Sequence, residues 1–209
     1  MADSANDWQG FVPHELLPQV INPKQGWLVS ANHRPIASFY PISMGISTGS
    51  LGDTDRSWRL KERVRAAESF TPDDVLDIHY DTVAPIKRNL VKLGYHLRDI
   101  QQYPLEEETR LALDYLEDWR AAGSRSEMQI KGTEILNLMP MAFRQNFAAA
   151  TIYGGGLSGL CNMLQTIETR IAENPNAMLT EEEADYVNLI LRAAWRSGKA
   201  NYGDDPAQW

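Results

Sequence analysis

Asn22-Pro23-Lys24-Gln25-Gly26-Trp27-Leu28-Val29-Ser30-Ala31-Asn32-His33-Arg34-Pro35 is the stretch on which the reading of this chain turns. Pro23 and Gly26 have the chemistry of a tight turn, because Pro presets φ and Gly tolerates positive φ. Trp27-Leu28-Val29 then has the aromatic and β-branched content of a short strand, and Ile36 to Tyr40 predicts a second. Asn32 falls just past the first strand end. Loops that follow rigid elements commonly carry functional groups.

Outward from this stretch the texture divides in two. Pro13, Pro18, Pro23, Pro35 and Pro41 all precede Arg56, so no long helix fits there. Ser43 to Thr54 is rich in Ser, Gly and Thr and predicts a loop. From Ser57 onward the chain reads as helical, with Ser57 as a cap for a helix to about Ala67. Thr71-Pro72-Asp73-Asp74 has a Thr cap, Pro at the first helical position and an acid three residues after the cap. That helix would carry Val75, Ile78 and Thr82, with Pro85 kinking or ending it. Ile86, Leu90, Leu93 and Leu97 continue an apolar face.

Leu105 to Ala121 predicts the next helix, its first turn rich in Glu and Gly123 its stop. Glu134 to Phe147 is apolar but crossed by Pro140. Leu157 to Ala172 predicts another helix, and Thr180 to Glu183 a capping box opening one to about Arg196. The expected class is therefore α+β. Residues 1–56 form a short β-rich leading segment, and 57–209 a helical region of the same domain. Two or three strands alone leave sheet edges unpaired, which points to partner strands outside the chain.

Composition narrows the function classes. The chain has 209 residues, 43% of them hydrophobic and 23% charged, which is ordinary for a globular domain. A net charge of −8 argues against a nucleic-acid partner. No apolar run approaches the roughly 20 residues of a membrane span. Met1 to Gly10 is polar and lacks the features of a signal peptide. The lone Cys161 excludes an internal disulfide and a cysteine-based zinc site.

Asn32 is the first chemical candidate. Amide hydrolysis passes through a tetrahedral oxyanion, and a fixed neutral N–H donor stabilises it by about 2.7–4 kcal/mol. An Asn amide can donate in this way and an Asp carboxylate cannot. For an isolated Asn, a plain turn role is the commoner one. His14, His33, His79 and His96 have no joint metal-ligand spacing, and His79 and Asp81 read as helix-surface or structural residues. Gly154-Gly155-Gly156 lacks the Lys-Ser/Thr of a phosphate cradle and reads as a helix-breaking loop. The Glu runs read as solvated helix starts. Trp58, Trp119 and Trp195 read as core anchors.

The ordered motifs resemble those of the penicillin-acylase (penicillin amidase) family of N-terminal-nucleophile hydrolases, which includes acyl-homoserine-lactone acylases. Asn22 to Pro35 resembles the family's N-P-x-x-G turn and the strand ending in A-N-N-x-P. Asp7-Trp8-Gln9-Gly10 with Pro13 and Pro18 resembles the W-x-G-x-x-P leading into it. Downstream, Tyr40-Pro41, Asp55-Arg56 and Arg59-Leu60 follow the same order. Thr71 to Asp81 resembles a T-x-E-D-x-x-x-x-Q-x-D helix with His79 in place of Gln. Asp205-Pro206-Ala207-Gln208-Trp209 resembles the D-P-x-x-W that precedes W-G-x-x-H. The match is strongest over residues 8–81 and at the C-terminal end.

That resemblance implies part of an αββα N-terminal-nucleophile hydrolase fold and an amidase acting on carbon–nitrogen bonds of linear amides. It implies Asn32 as the oxyanion donor and Arg56 as the residue that orients the site. Ser4 stands too close to Asn32 to be the family's nucleophile, so the attacking Ser is expected outside this chain. The expected partners are the missing nucleophile-bearing segment and small subunit, together with an acylated amine substrate. No cofactor is expected in this chain. Calcium is an expectation for the complete enzyme only, since Ile42-Ser43-Met44 lacks the acid expected after Tyr40-Pro41. A periplasmic or extracellular location is implied. Two alternatives stand beside this reading: an acyl-homoserine-lactone acylase of the same fold, and a helical interaction protein that performs no chemistry.

Overall fold

The computed structural model describes residues 10–33, 36, 40–42, 53–146 and 156–209. Eight α-helices are found among them. In chain order they are α1 (Asp55–Ala66), α2 (Pro72–His79), α3 (Pro85–Asp99), α4 (Glu107–Tyr115), α5 (Glu117–Ala121), α6 (Thr133–Asn146), α7 (Gly156–Glu173) and α8 (Glu181–Tyr202).

The expected α+β class is overturned, because no strand forms among the described residues. The turn is present, with Gly26 N–H donating to the Pro23 carbonyl at 2.8 Å. Trp27 to Ser30 follows as irregular backbone. Apolar, β-branched residues favour a strand only where a neighbouring chain accepts the ladder hydrogen bonds. None is supplied by the described residues. The β-rich leading segment and its place in an αββα sheet are therefore corrected: its described residues before α1 are irregular chain with one 3-10 turn, His14–Leu16. Residues 37–39 of the second expected strand and 43–52 of the expected loop lie outside the described residues. One antiparallel bridge, Val83 to Arg125, joins two loops.

Helix starts follow local chemistry. Thr71 and Thr180 each cap a helix as expected, with Asp74 and Glu183 completing reciprocal capping boxes. The α1 cap is Thr54 and not Ser57. Ser57 is the third helical residue and returns its hydroxyl to the Thr54 N–H. The second helix stops at His79, leaving Thr82 beyond it, and Pro85 opens α3 at its first position. The expected Leu105 to Ala121 helix is broken at Leu116 into α4 and α5. Gly123 ends it with φ +83°. The backbone of α6 runs through Pro140, and Phe147 lies outside the described residues.

Helix α8 continues past Arg196 because packing, not propensity, decides its length. A Cβ at Gly198 would stand 2.8 Å from Ile135 and 2.9 Å from Trp209. Glycine thus allows close approach there, and the chain leaves the helix at Gly203, φ +98°. Val187, Ile190, Leu191 and Ala194 are fully buried, as their spacing predicts. Helix α8 packs against α6, α4 and α3, and α3 packs against α7. Trp58, Trp119 and Trp195 all belong to this core.

Candidate active site

The candidate site forms where the Asn32 loop meets the first turn of α1. Asn32 itself is exposed and adopts φ +57°, a left-handed conformation that Asn tolerates better than most residues. Its side-chain oxygen accepts a hydrogen bond from Arg56 Nη2. The two predicted site residues, separated by 24 positions, are therefore in direct contact.

The contact fixes the direction of the amide. A guanidinium has donors and no acceptor, so Asn32 Oδ1 must face Arg56 and Nδ2 must face away from it. No hydrogen bond joins that Nδ2 to another described residue. One backbone tie adds to the side-chain one: Thr54 Oγ1 donates to the Ala31 carbonyl at 2.8 Å.

Asn32 and Arg56 line a cleft of about 670 Å³, together with Arg59, Arg63, His79 and Asp81. Arg59 donates to Asp81 from Nε at 2.9 Å and Nη2 at 2.7 Å, and to Glu62 from Nη1 at 2.9 Å. Arg88 reaches the same Glu62 from α3. Arg63 stands 3.8 Å from Asp81. Burial pushes the Asp81 carboxyl upward. Hydrogen bonds from Arg59 and the Val83 N–H, with the Arg59 and Arg63 charges, outweigh it and hold Asp81 below the usual carboxylate range. Glu62 is lowered in the same way, burial being outweighed by Arg88 and Arg59. Asp55 goes in the other direction: burial raises it despite its bond from the Ile86 N–H at 2.8 Å.

Asp81 is thus a structural contact, in line with one of the roles its position predicted, while His79 ends α2 at the cleft wall. Sequence reasoning passed over Arg63 and Thr54. Arg56, Arg59 and Arg63 follow i, i+3, i+7 spacing, which places them on one helical face. Thr54 and Ser57 have capping-box spacing. Cys161 is buried, which with the nearby Asp55 and Asp53 charges pushes its thiol up to about 12. Such a thiol is a poor nucleophile. Among the described residues no three carboxylate, imidazole or thiol groups converge as metal ligands. No helix among them is long and apolar enough to cross a membrane.

The penicillin amidase family profile matches residues 2–209, and the chain belongs to that family. Penicillin acylase 2 proenzyme of Pseudomonas sp. (strain SE83) is 36% identical over 80 residues, which cover 38% of this chain and 10% of that protein. Acyl-homoserine lactone acylase QuiP of Pseudomonas aeruginosa is 29% identical over 79 residues, covering 38% of this chain and 9% of that enzyme. The matched stretch is thus about a tenth of each relative's length. No solved structure matches the chain.

Proposed function

We propose that this chain supplies the oxyanion-stabilising part of an acylase that hydrolyses linear amides. The observation that carries the reading is the Arg56–Asn32 contact in a chain of the penicillin amidase family. In this reading a Ser hydroxyl from outside the chain passes its proton to that residue's own α-amine while its oxygen attacks the amide carbonyl carbon. The carbonyl π electrons move onto oxygen, and Asn32 Nδ2–H donates to the resulting oxyanion. Collapse of the tetrahedral intermediate returns that proton to the leaving amine and leaves an acyl ester, which water then hydrolyses to the free acid and the Ser hydroxyl. Arg56 withdraws electron density from Asn32 Oδ1 and holds the amide with its N–H free, so the donor is both oriented and strengthened.

The partners are the rest of the enzyme, including the nucleophile-bearing segment and small subunit, and an acylated amine. The proposed location is periplasmic or extracellular, which fractionation of expressing cells checks: recovery with the cytoplasm would contradict it. The QuiP match supports a second substrate, an acyl-homoserine lactone, whose bond to be cut is also a linear amide.

Asn32→Ala in the complete enzyme tests the main claim. Turnover of a penicillin or an N-acyl-homoserine lactone should fall about 10²–10³-fold in kcat, with the melting temperature unchanged. Near-normal turnover would remove Asn32 from the mechanism.

A further inference from the structure

We propose that Thr54 is a positioning residue of this site: by donating its hydroxyl proton to the Ala31 carbonyl, it sets where the Asn32 amide stands. The inference rests on the oxyanion role proposed for Asn32.

A threonine hydroxyl has one proton to donate and two lone pairs to accept with. Here both capacities are used, on different elements. The proton goes to the Ala31 carbonyl at 2.8 Å. A lone pair accepts the Ser57 N–H at 3.1 Å, which caps α1. The Thr54 N–H in turn reaches Ser57 Oγ at 2.8 Å. The cap uses Thr54 as an acceptor, while the tie to the loop uses it as a donor. The two roles are chemically separable.

The tie matters because of what it holds. The Ala31 carbonyl lies in the peptide plane that ends at the Asn32 Cα. Holding that oxygen orients the bond about which Asn32 takes its φ of +57°. The Asn32 side chain is exposed, so apolar packing does not fix its direction. Arg56 holds the far end of the side chain and Thr54 the backbone behind it, both from the start of α1.

The start of α1 is itself fastened to the core. Asp55, between these two residues, accepts the Ile86 N–H at the start of α3. Asp53 accepts from Ser57 Oγ at 2.9 Å, from Lys61 Nζ at 2.5 Å and from Gln165 Nε2 of α7 at 3.1 Å. Four consecutive residues, Asp53 to Arg56, thus pass the position of α3 and α7 to the Asn32 loop. Misplacing a catalytic group by about 1 Å can cost about 10²-fold in rate.

The test uses the complete enzyme and separates donor from acceptor. Thr54→Asp keeps a good helix cap, but an ionised carboxylate has no proton for the Ala31 carbonyl. Its kcat should fall about 10²-fold, with KM within about twofold and the melting temperature unchanged. Thr54→Val loses both roles, and should lower kcat as much and the melting temperature as well. That fall also excludes the added charge as the cause. Thr54→Ser, which restores the hydroxyl, should rescue kcat. Substrates are a penicillin and an N-acyl-homoserine lactone. Thr54→Asp with near-normal kcat beside an inactive Asn32→Ala overturns the positioning role and leaves the oxyanion reading standing. Normal turnover by Asn32→Ala overturns both.

Discussion

Residues 10–82 and residues 83–209 solve the problem of holding a shape in different ways. In the second region Leu90, Leu97, Trp119, Leu164 and Ile190 are fully buried, and helix packs on helix. In the first, Phe11, Ile21, Leu28, Val75, Leu76 and Tyr80 stand exposed, and α2 has no buried residue. Among the described residues of this region, Trp58 of α1 is the large apolar side chain that crosses into the core. The described residues of the first region are held mainly by directional contacts: Asp53 to Gln165, Asp55 to the Ile86 N–H, Glu62 to Arg88. Hydrophobic burial is non-directional and sets a scaffold. Hydrogen bonds and ion pairs have preferred angles and can aim a single amide. The candidate site lies in the region held by aim, resting on the region held by burial.

The contrast can be broken by mutation. Trp119→Ala should have the largest effect, a loss of about 3–5 kcal/mol in denaturant unfolding. Trp119 is fully buried and its Nε1 donates to the Arg125 carbonyl at 2.7 Å. A loss well under that range would mean that the second region is not the scaffold. Gly94→Ala comes next. Its Cβ would stand 2.7 Å from both Leu113 Cδ2 and Leu191 Cδ1, and overpacking of this kind costs about 1–3 kcal/mol.

Acid should loosen the first region more than the second, whose lowered carboxyls Asp99, Glu106, Glu108 and Glu127 lie nearer solvent, where screening weakens their ion pairs. Asp53, Glu62 and Asp81 are buried in part, but hydrogen bonds from Lys61, Arg88 and Arg59 respectively leave each below its ordinary value. A carboxyl whose folded pKa is lowered contributes stability that is complete above its unfolded pKa. That stability is lost as pH falls through the folded value. Asp55, raised by burial, contributes with the opposite sign, and three lowered groups outnumber it. Urea unfolding should therefore show lower stability at about pH 3 than at about pH 6, and hydrogen exchange in α1 should rise before that in α8. Simultaneous opening of both helices would remove the distinction between the regions. Leu28→Ser should have the smallest effect on stability, within about 0.5 kcal/mol, since Leu28 is 62% exposed. A larger loss would show that the leading segment is packed after all.

Much of the helical scaffold was legible because its signals are local. The Thr71 and Thr180 caps, the Gly123 stop and the inner face of α8 each depend on residues within about one helical turn. Even so, the α1 cap went to Thr54 over Ser57. Both residues have cap chemistry, and their reciprocal bonds become visible only once the helix is placed. The strand reading of Trp27 to Val29 failed for a different reason. A strand is completed by a partner, and a partner is not a local property. Asn32 and Arg56 were singled out through the resemblance of their surrounding motifs. Nothing in the local sequence placed one against the other.

The sequence by itself determined where α2 and α8 begin, which faces turn inward and which family the motifs belong to. These follow from backbone propensity and from apolar spacing along a single element. Tertiary structure alone decided that no strand forms among the described residues and that α8 runs on past Arg196. It also decided that Arg56 meets Asn32 while Thr54 holds the carbonyl behind it. Such outcomes depend on which distant groups the folded chain brings within hydrogen-bond reach, and loop closure and packing settle that for the whole chain at once.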